Sequence, residues 1–205
     1  MELPSWKAAL DATPDARVRA SLEILYDGHR RFLDGRPEAK AYTADDFGGF
    51  AQGQRPKVAI VACSDSRVAP EVVFDQPLGS IFASRVPGNV ASDGAKWMVD
   101  LAVSELKVPL VMVIGHTGCF AVGQVVAGHT GSGGQLGRDI EKAVSRARMG
   151  FPQDLGRAAV EENVRFTVER LKSESADVRR ALEQDGATLI GAVYDMGTGQ
   201  VHLLA

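Results

Sequence analysis

The chain has 205 residues, of which 45% are hydrophobic and 24% charged, a composition that suits one globular domain, spanning 1–205, with a sizeable core. A formal charge of -3 and a sequence pI of about 5.8 provide no basic stripe of the kind that phosphate backbones demand, and no apolar run approaches the roughly 18 residues of a membrane span. The first residues carry neither a basic-then-apolar export pattern nor a small-residue cleavage site, so a cytoplasmic protein that binds neither nucleic acid nor membrane is expected.

In chain order, the N-terminal forty residues read as helices. Leu22, Leu25, Tyr26, Arg30 and Leu33 lie on related faces, and Gly35 and Pro37 close the segment. Pro56 to Cys63, "PKVAIVAC", is short, apolar and β-branched, the pattern of a strand covered on both faces. Ser80 to Val86 and Pro109 to His116 repeat it. Between these two, Ala95, Met98, Val99, Ala102 and Leu106 recur at helical spacing behind a capping Ser92 and an acidic Asp93. Strand, helix, strand implies a parallel crossover. The glycine-rich Gly128 to Gly137 lacks the spacing and the preceding strand of a phosphate-binding loop, and is expected to be a surface connection. A long amphipathic helix follows through Leu155, Ala159, Val160, Val164, Val168 and Leu171, then a shorter one through Val178 and Leu182 that ends near Gly186. Two strand-like runs around Gly197 to Gly199 predict a terminal hairpin. The class is α/β, with a central, mostly parallel sheet and flanking helices.

The chemistry gathers at two strand ends. "CSDSR" follows the first strand and "HTGC" ends the third, and in a parallel sheet the carboxyl ends share the edge where ligands bind. Only two cysteines are present, and in a reducing compartment such a pair reads as buried thiols, metal ligands or catalytic groups rather than a disulfide. Cys63, His116 and Cys119 together offer two thiolates and an imidazole, a donor set suited most simply to zinc, with the fourth position left to water. Asp65 either closes that position as a fourth ligand or pairs with Arg67 and leaves it free. The pairing would hold the carboxylate in a planar fork and lower its pKa; a plain surface salt bridge is the remaining reading.

The stretches "CSDSRV", "FDQ", "RVPGN" and "VIGHTGC" resemble the β-class carbonic anhydrases. "LYDGHRRFLDGR" is similar to that family's N-terminal helical arm, within residues 1–40, and "ENVRFTVERLKS" with "GAVYDMGTGQVHLL" to its C-terminal helix and antiparallel strands. The resemblance covers the chain from about Ser21 onward. It implies a zinc enzyme that interconverts carbon dioxide and bicarbonate through hydroxide on the metal, with activity rising toward alkaline pH because two thiolates donate more charge than two imidazoles. Carried over, it makes Cys63, His116 and Cys119 the Zn2+ ligands, joined by Asp65 only in a closed form, and Asp65 with Arg67 the catalytic dyad. Gln54 stands where the family hydrogen-bonds substrate, and Phe82 where an aromatic lines the carbon dioxide pocket. A homodimer or larger homo-oligomer is implied, with the arm clasping a neighbour.

Three positions depart from the pattern. Ile60 replaces a tryptophan of the members regulated by bicarbonate, and Arg85, at the second position of that regulatory site, is expected to be an ion-pair partner. Phe120 replaces a glycine after the last ligand and Leu101 an active-site tyrosine, so the pocket is expected to be more apolar. Hydrolysis of carbonyl sulfide or carbon disulfide on the same zinc, and a non-catalytic zinc-binding module, are the competing readings. His29, His129 and His202 are expected to be surface or packing residues.

Overall fold

A computed structural model describes residues 3–129 and 134–204. Helix α1 (Pro4–Ala12) starts on a proline at its first turn, and α2 (Ala16–Leu33) is capped by Asp15, whose carboxylate accepts from the Arg17 and Val18 amides. Gly35, at φ 64°, takes the left-handed turn just beyond α2. Helix α3 (Ala44–Ala51) carries a reciprocal Thr43–Asp46 capping box and buries none of its residues. Then come β1 (Val58–Cys63), the single turn α4 (Pro70–Val73), β2 (Ile81–Val86) and a 3-10 turn over Pro87–Asn89. Helix α5 (Asp93–Ser104) begins where the Ser92 hydroxyl accepts from the Ala95 amide, and leads into β3 (Leu110–His116). The chain continues through α6 (Phe120–Val126), α7 (Gly134–Met149), α8 (Leu155–Glu174) and α9 (Ala176–Glu183), and ends in β4 (Thr188–Tyr194) and β5 (Val201–Leu204).

The five strands form one sheet in the order β2-β1-β3-β4-β5, parallel except for the antiparallel β5. The expected crossover runs from β2 through α5 to β3, passing over β1, and the expected hairpin is β4–β5. Alternation along the strands divides the interior. Ala59, Val61, Cys63, Val111 and Val113 face α5 to α9, whereas Val58, Ile60, Ala62, Leu110, Met112 and Ile114 face α1, α2 and α4. Every residue of β1 and β3 is buried, which is why both read as unbroken apolar runs. Trp6, fully buried, donates from Nε1 to the Val201 carbonyl at 2.8 Å and seals α1 onto β5 of the same chain.

The glycine-rich stretch departs in part from expectation. Gly128 and His129 are exposed and follow α6 as a connection, residues 130–133 lie outside the described residues, and Gly134 to Gly137 open α7. Ile140, Ala143, Val144 and Ala147 supply the buried face of that helix, and their packing overrides the low helix propensity of its glycines.

The three unassigned histidines are packing or surface residues, as expected. His29 is fully buried, with Nδ1 donating to the Val73 carbonyl at 3.0 Å and Nε2 accepting from the Val201 amide at 2.9 Å. Burial lowers its pKa, in keeping with this neutral tautomer. His129 is exposed and His202 half-buried. No helix among the described residues is long and apolar enough to cross a membrane.

Candidate metal centre

Strands β1 and β3 are neighbours whose onward connections leave in opposite directions, one to β2 and the other toward β4. A crevice opens outside their carboxyl ends at such a switch point. Cys63 ends β1, His116 ends β3, and Cys119 is the residue before α6. Gly118, at φ 67°, supplies the left-handed turn that brings Cys119 back toward His116.

The two sulfurs and an imidazole nitrogen lie within 4.8 Å of one another, and all three residues are buried. The sulfurs are 3.9 Å apart, far beyond the roughly 2.05 Å of a disulfide bond, so both cysteines are free. His116 Nδ1 is 3.1 Å from the Thr117 carbonyl, which makes it the protonated nitrogen and leaves Nε2 as a lone-pair donor. That Nε2 is buried and has no hydrogen-bond partner among the described residues. Leaving such a group unsatisfied costs about 1–3 kcal/mol, and a metal ion between it and the two sulfurs removes the cost. A soft-to-borderline tetrahedral ion fits this donor set.

The contact between the sulfurs draws the Cys63 thiol down against burial, and the same contact together with burial pushes Cys119 up. The Gly88 amide adds a donor to the Cys63 sulfur at 3.4 Å.

Beside the cluster, Arg67 grips Asp65 through Nε at 2.9 Å and Nη2 at 2.8 Å, and the Arg67 amide adds a bond of 3.0 Å. The guanidinium holds this carboxyl far below the usual carboxylate range. Asp65 Oδ2 is also 3.9 Å from His116 Nε2. Arg67 is largely exposed, yet its partner is only 13% exposed and faces the donors, which distinguishes this pair from an ordinary surface salt bridge.

Arg85 differs from the expected ion-pair partner. Its guanidinium donates to two backbone carbonyls, Cys63 O at 3.1 Å and Asp65 O at 2.5 Å, and so clamps the loop that carries Cys63 and the carboxylate. Charge pairing in the sequence gives no sign of this contact. Gly88 was also missed; its signal is the Pro87-Gly88 turn dipeptide at the end of β2.

Gln54 and Phe82 lie away from this cluster. Gln54 is exposed and precedes β1, at the end opposite Cys63. Phe82 pairs in register with Ala59, and Cys63 with Val86, so four residues at about 3.3 Å each separate Phe82 from the Cys63 end of the sheet. Its ring packs half-buried against the core. Ile60, fully buried, faces away from Cys63 across the sheet, and Leu101 is half-buried on α5. Phe120, next to Cys119, is 75% exposed.

Residues 58–201 match the sequence profile of the family described as carbonic anhydrase. Carbonic anhydrase 2 of Mycobacterium tuberculosis is 32% identical over 93% of this chain and 94% of its own. A carbonic anhydrase of Mycolicibacterium smegmatis is likewise 32% identical, over 93% of this chain and 95% of its own. Among solved structures, a Coccomyxa β-carbonic anhydrase in complex with acetazolamide superposes with a TM-score of 0.69 at 26% identity, covering 89% of this chain and 86% of that one. A β-carbonic anhydrase of Aspergillus fumigatus gives 0.70 at 25%, covering 78% and 80%. Profile, relatives and architecture agree, and the chain belongs to the β-carbonic anhydrase family of enzymes.

Proposed function

We propose that the protein reversibly hydrates carbon dioxide to bicarbonate and a proton, using zinc held by Cys63, His116 and Cys119. The observation that carries the reading is the buried His116 imidazole, one nitrogen of which lies within 4.8 Å of two free thiols and whose Nε2 has no hydrogen-bond partner among the described residues, with an ionised carboxylate beside it. Zinc supplies a Lewis acid that makes water a competent nucleophile at workable pH.

The chain's own residues orient the reaction. Asp65 is held so acidic by Arg67 that it is a poor base; it accepts a hydrogen bond from the reacting water at Oδ2 and stays ionised. Arg67 fixes the aim of that carboxylate through both of its oxygens. Ligation of the metal by Asp65 in a closed form requires breaking this fork.

Gln54, as the substrate's hydrogen-bond partner, and Phe82, as a wall of the carbon dioxide pocket, lie too far along the strands to serve the Cys63 of their own chain. Their roles therefore belong to a second copy, and the working unit is a homodimer or larger assembly of single-domain chains in the cytoplasm.

The test is metal removal. Dialysis against a zinc chelator abolishes carbon dioxide hydration, and one equivalent of zinc per chain restores it. Hydration that survives full removal of zinc contradicts the reading, and a zinc-restored protein that turns over only carbon disulfide or carbonyl sulfide replaces the substrate.

A further inference from the structure

We propose that Asn163 of α8 is a positioning residue for the metal centre, acting through Gly88 on the Cys63 sulfur. This inference rests on the metal-site reading above. Asn163 is 1% exposed and touches the Gly88 carbonyl at 2.6 Å; because the partner is an acceptor, the contacting atom is the amide nitrogen, Nδ2. The N–H of the same Gly88 donates to Cys63 Sγ at 3.4 Å. One residue thus links a buried helix side chain to a ligand sulfur.

The backbone makes the link possible. Gly88 (φ 67°) and Asn89 (φ 46°) are successive left-handed residues, and the turn they form leaves Gly88 bonded to the sulfur through its N–H and to α8 through its C=O. A Cβ at Gly88 would lie 2.8 Å from Ile140 Cδ1 of α7, which would have to shift, and the left-handed φ itself favours glycine there. Asn163 also carries a cost that apolar packing would avoid: its Oδ1 is buried without a partner, as is Nδ2 of the adjoining Asn89. A polar residue retained on the helix face that includes Val160 and Val164 is explained by the carbonyl it holds.

An N–H directed at a thiolate draws charge from the sulfur and fixes its orientation, and ligand partners of this kind typically alter metal affinity or activity by 10–100-fold. Asn163 is the side chain through which this outer contact is anchored.

The test uses the full-length protein loaded with cobalt(II), as wild type, Asn163→Leu and Asn163→Ser. Leucine removes the donor at similar volume, and serine is too short to reach the carbonyl. Once the Gly88 amide is released, the Cys63 sulfur gives up an electron more readily. The thiolate-to-cobalt charge-transfer band then moves to longer wavelength, and cobalt affinity falls about 10-fold or more. A purely structural role lowers the melting temperature and leaves the band in place; an unmoved band in fully loaded variants overturns the proposal while sparing the metal site. Wild-type protein that takes up no cobalt overturns both. If neither variant folds, wild-type protein loaded with cadmium-113 decides: coupling between the Gly88 amide proton and the metal is expected, and its absence overturns the proposal.

Discussion

Arg67 holds Asp65 by both carboxylate oxygens, and one of those oxygens, Oδ2, stands 3.9 Å from the unpartnered Nε2 of His116. A single acidic side chain therefore belongs at once to an ion pair and to the rim of a ligand cluster. The consequences of removing either relationship can be measured.

Arg67→Ala frees the carboxylate without touching a ligand. Zinc content is expected to remain at one per chain while turnover falls about 100-fold or more, the scale associated with losing the aim of a catalytic group. Arg67→Lys keeps the charge but not the fork, and is expected to recover only part of the loss. Turnover unchanged in the alanine variant, measured by stopped-flow beside metal analysis, would rule out the dyad.

Gly118→Ala tests the turn between His116 and Cys119. Among the described residues, no atom beyond the glycine's chain neighbours lies within 4 Å of the added methyl group, so the cost comes from the left-handed backbone, about 1–2 kcal/mol. The expected result is weaker zinc retention during chelator competition with a modest fall in melting temperature. An unaltered zinc affinity would show that the turn tolerates a side chain without moving Cys119.

Arg85→Met removes the clamp on the Cys63 and Asp65 carbonyls while keeping much of the side chain's length. Both the ligand loop and the carboxylate lose support, so lower turnover and faster zinc loss are expected together. Loss of turnover with zinc retention unchanged would confine Arg85 to the Asp65 side.

Acid stability depends on Asp75, 4% exposed, which binds Arg31 Nε at 2.5 Å, Lys40 Nζ at 3.0 Å and the Glu38 amide at 3.1 Å. Burial alone would raise its pKa, but these partners outweigh burial and the net shift is downward. With the folded value below the unfolded one, the contribution is complete above about pH 4 and is lost as pH falls through the folded pKa. Asp75→Asn is expected to cost about 1–3 kcal/mol at neutral pH and to weaken the fall of melting temperature between pH 5 and 3. Parallel wild-type and variant curves across that range would contradict the assignment.

Much of this architecture was readable because β1 and β3 are covered on both faces and so become continuous apolar runs. Helix α3 buries nothing and leaves no periodic trace, and α7 opens in a glycine-rich stretch that masks the spacing of Ile140, Ala143, Val144 and Ala147. The ligand cluster and the Asp65–Arg67 fork follow from motifs at strand ends, where topology fixes proximity. Arg85 was misread because its partners are carbonyls, which no charge pattern marks. The Asn163–Gly88 contact joins residues 75 apart with no motif spanning them. Gln54 and Phe82 were assigned by resemblance alone, and in this chain they lie away from the cluster.

The most direct test is stopped-flow hydration of carbon dioxide by the zinc-loaded protein from pH 7 to pH 9. Rapid turnover that rises toward the alkaline end is the predicted result. A flat profile, or no turnover with zinc bound, would contradict the account.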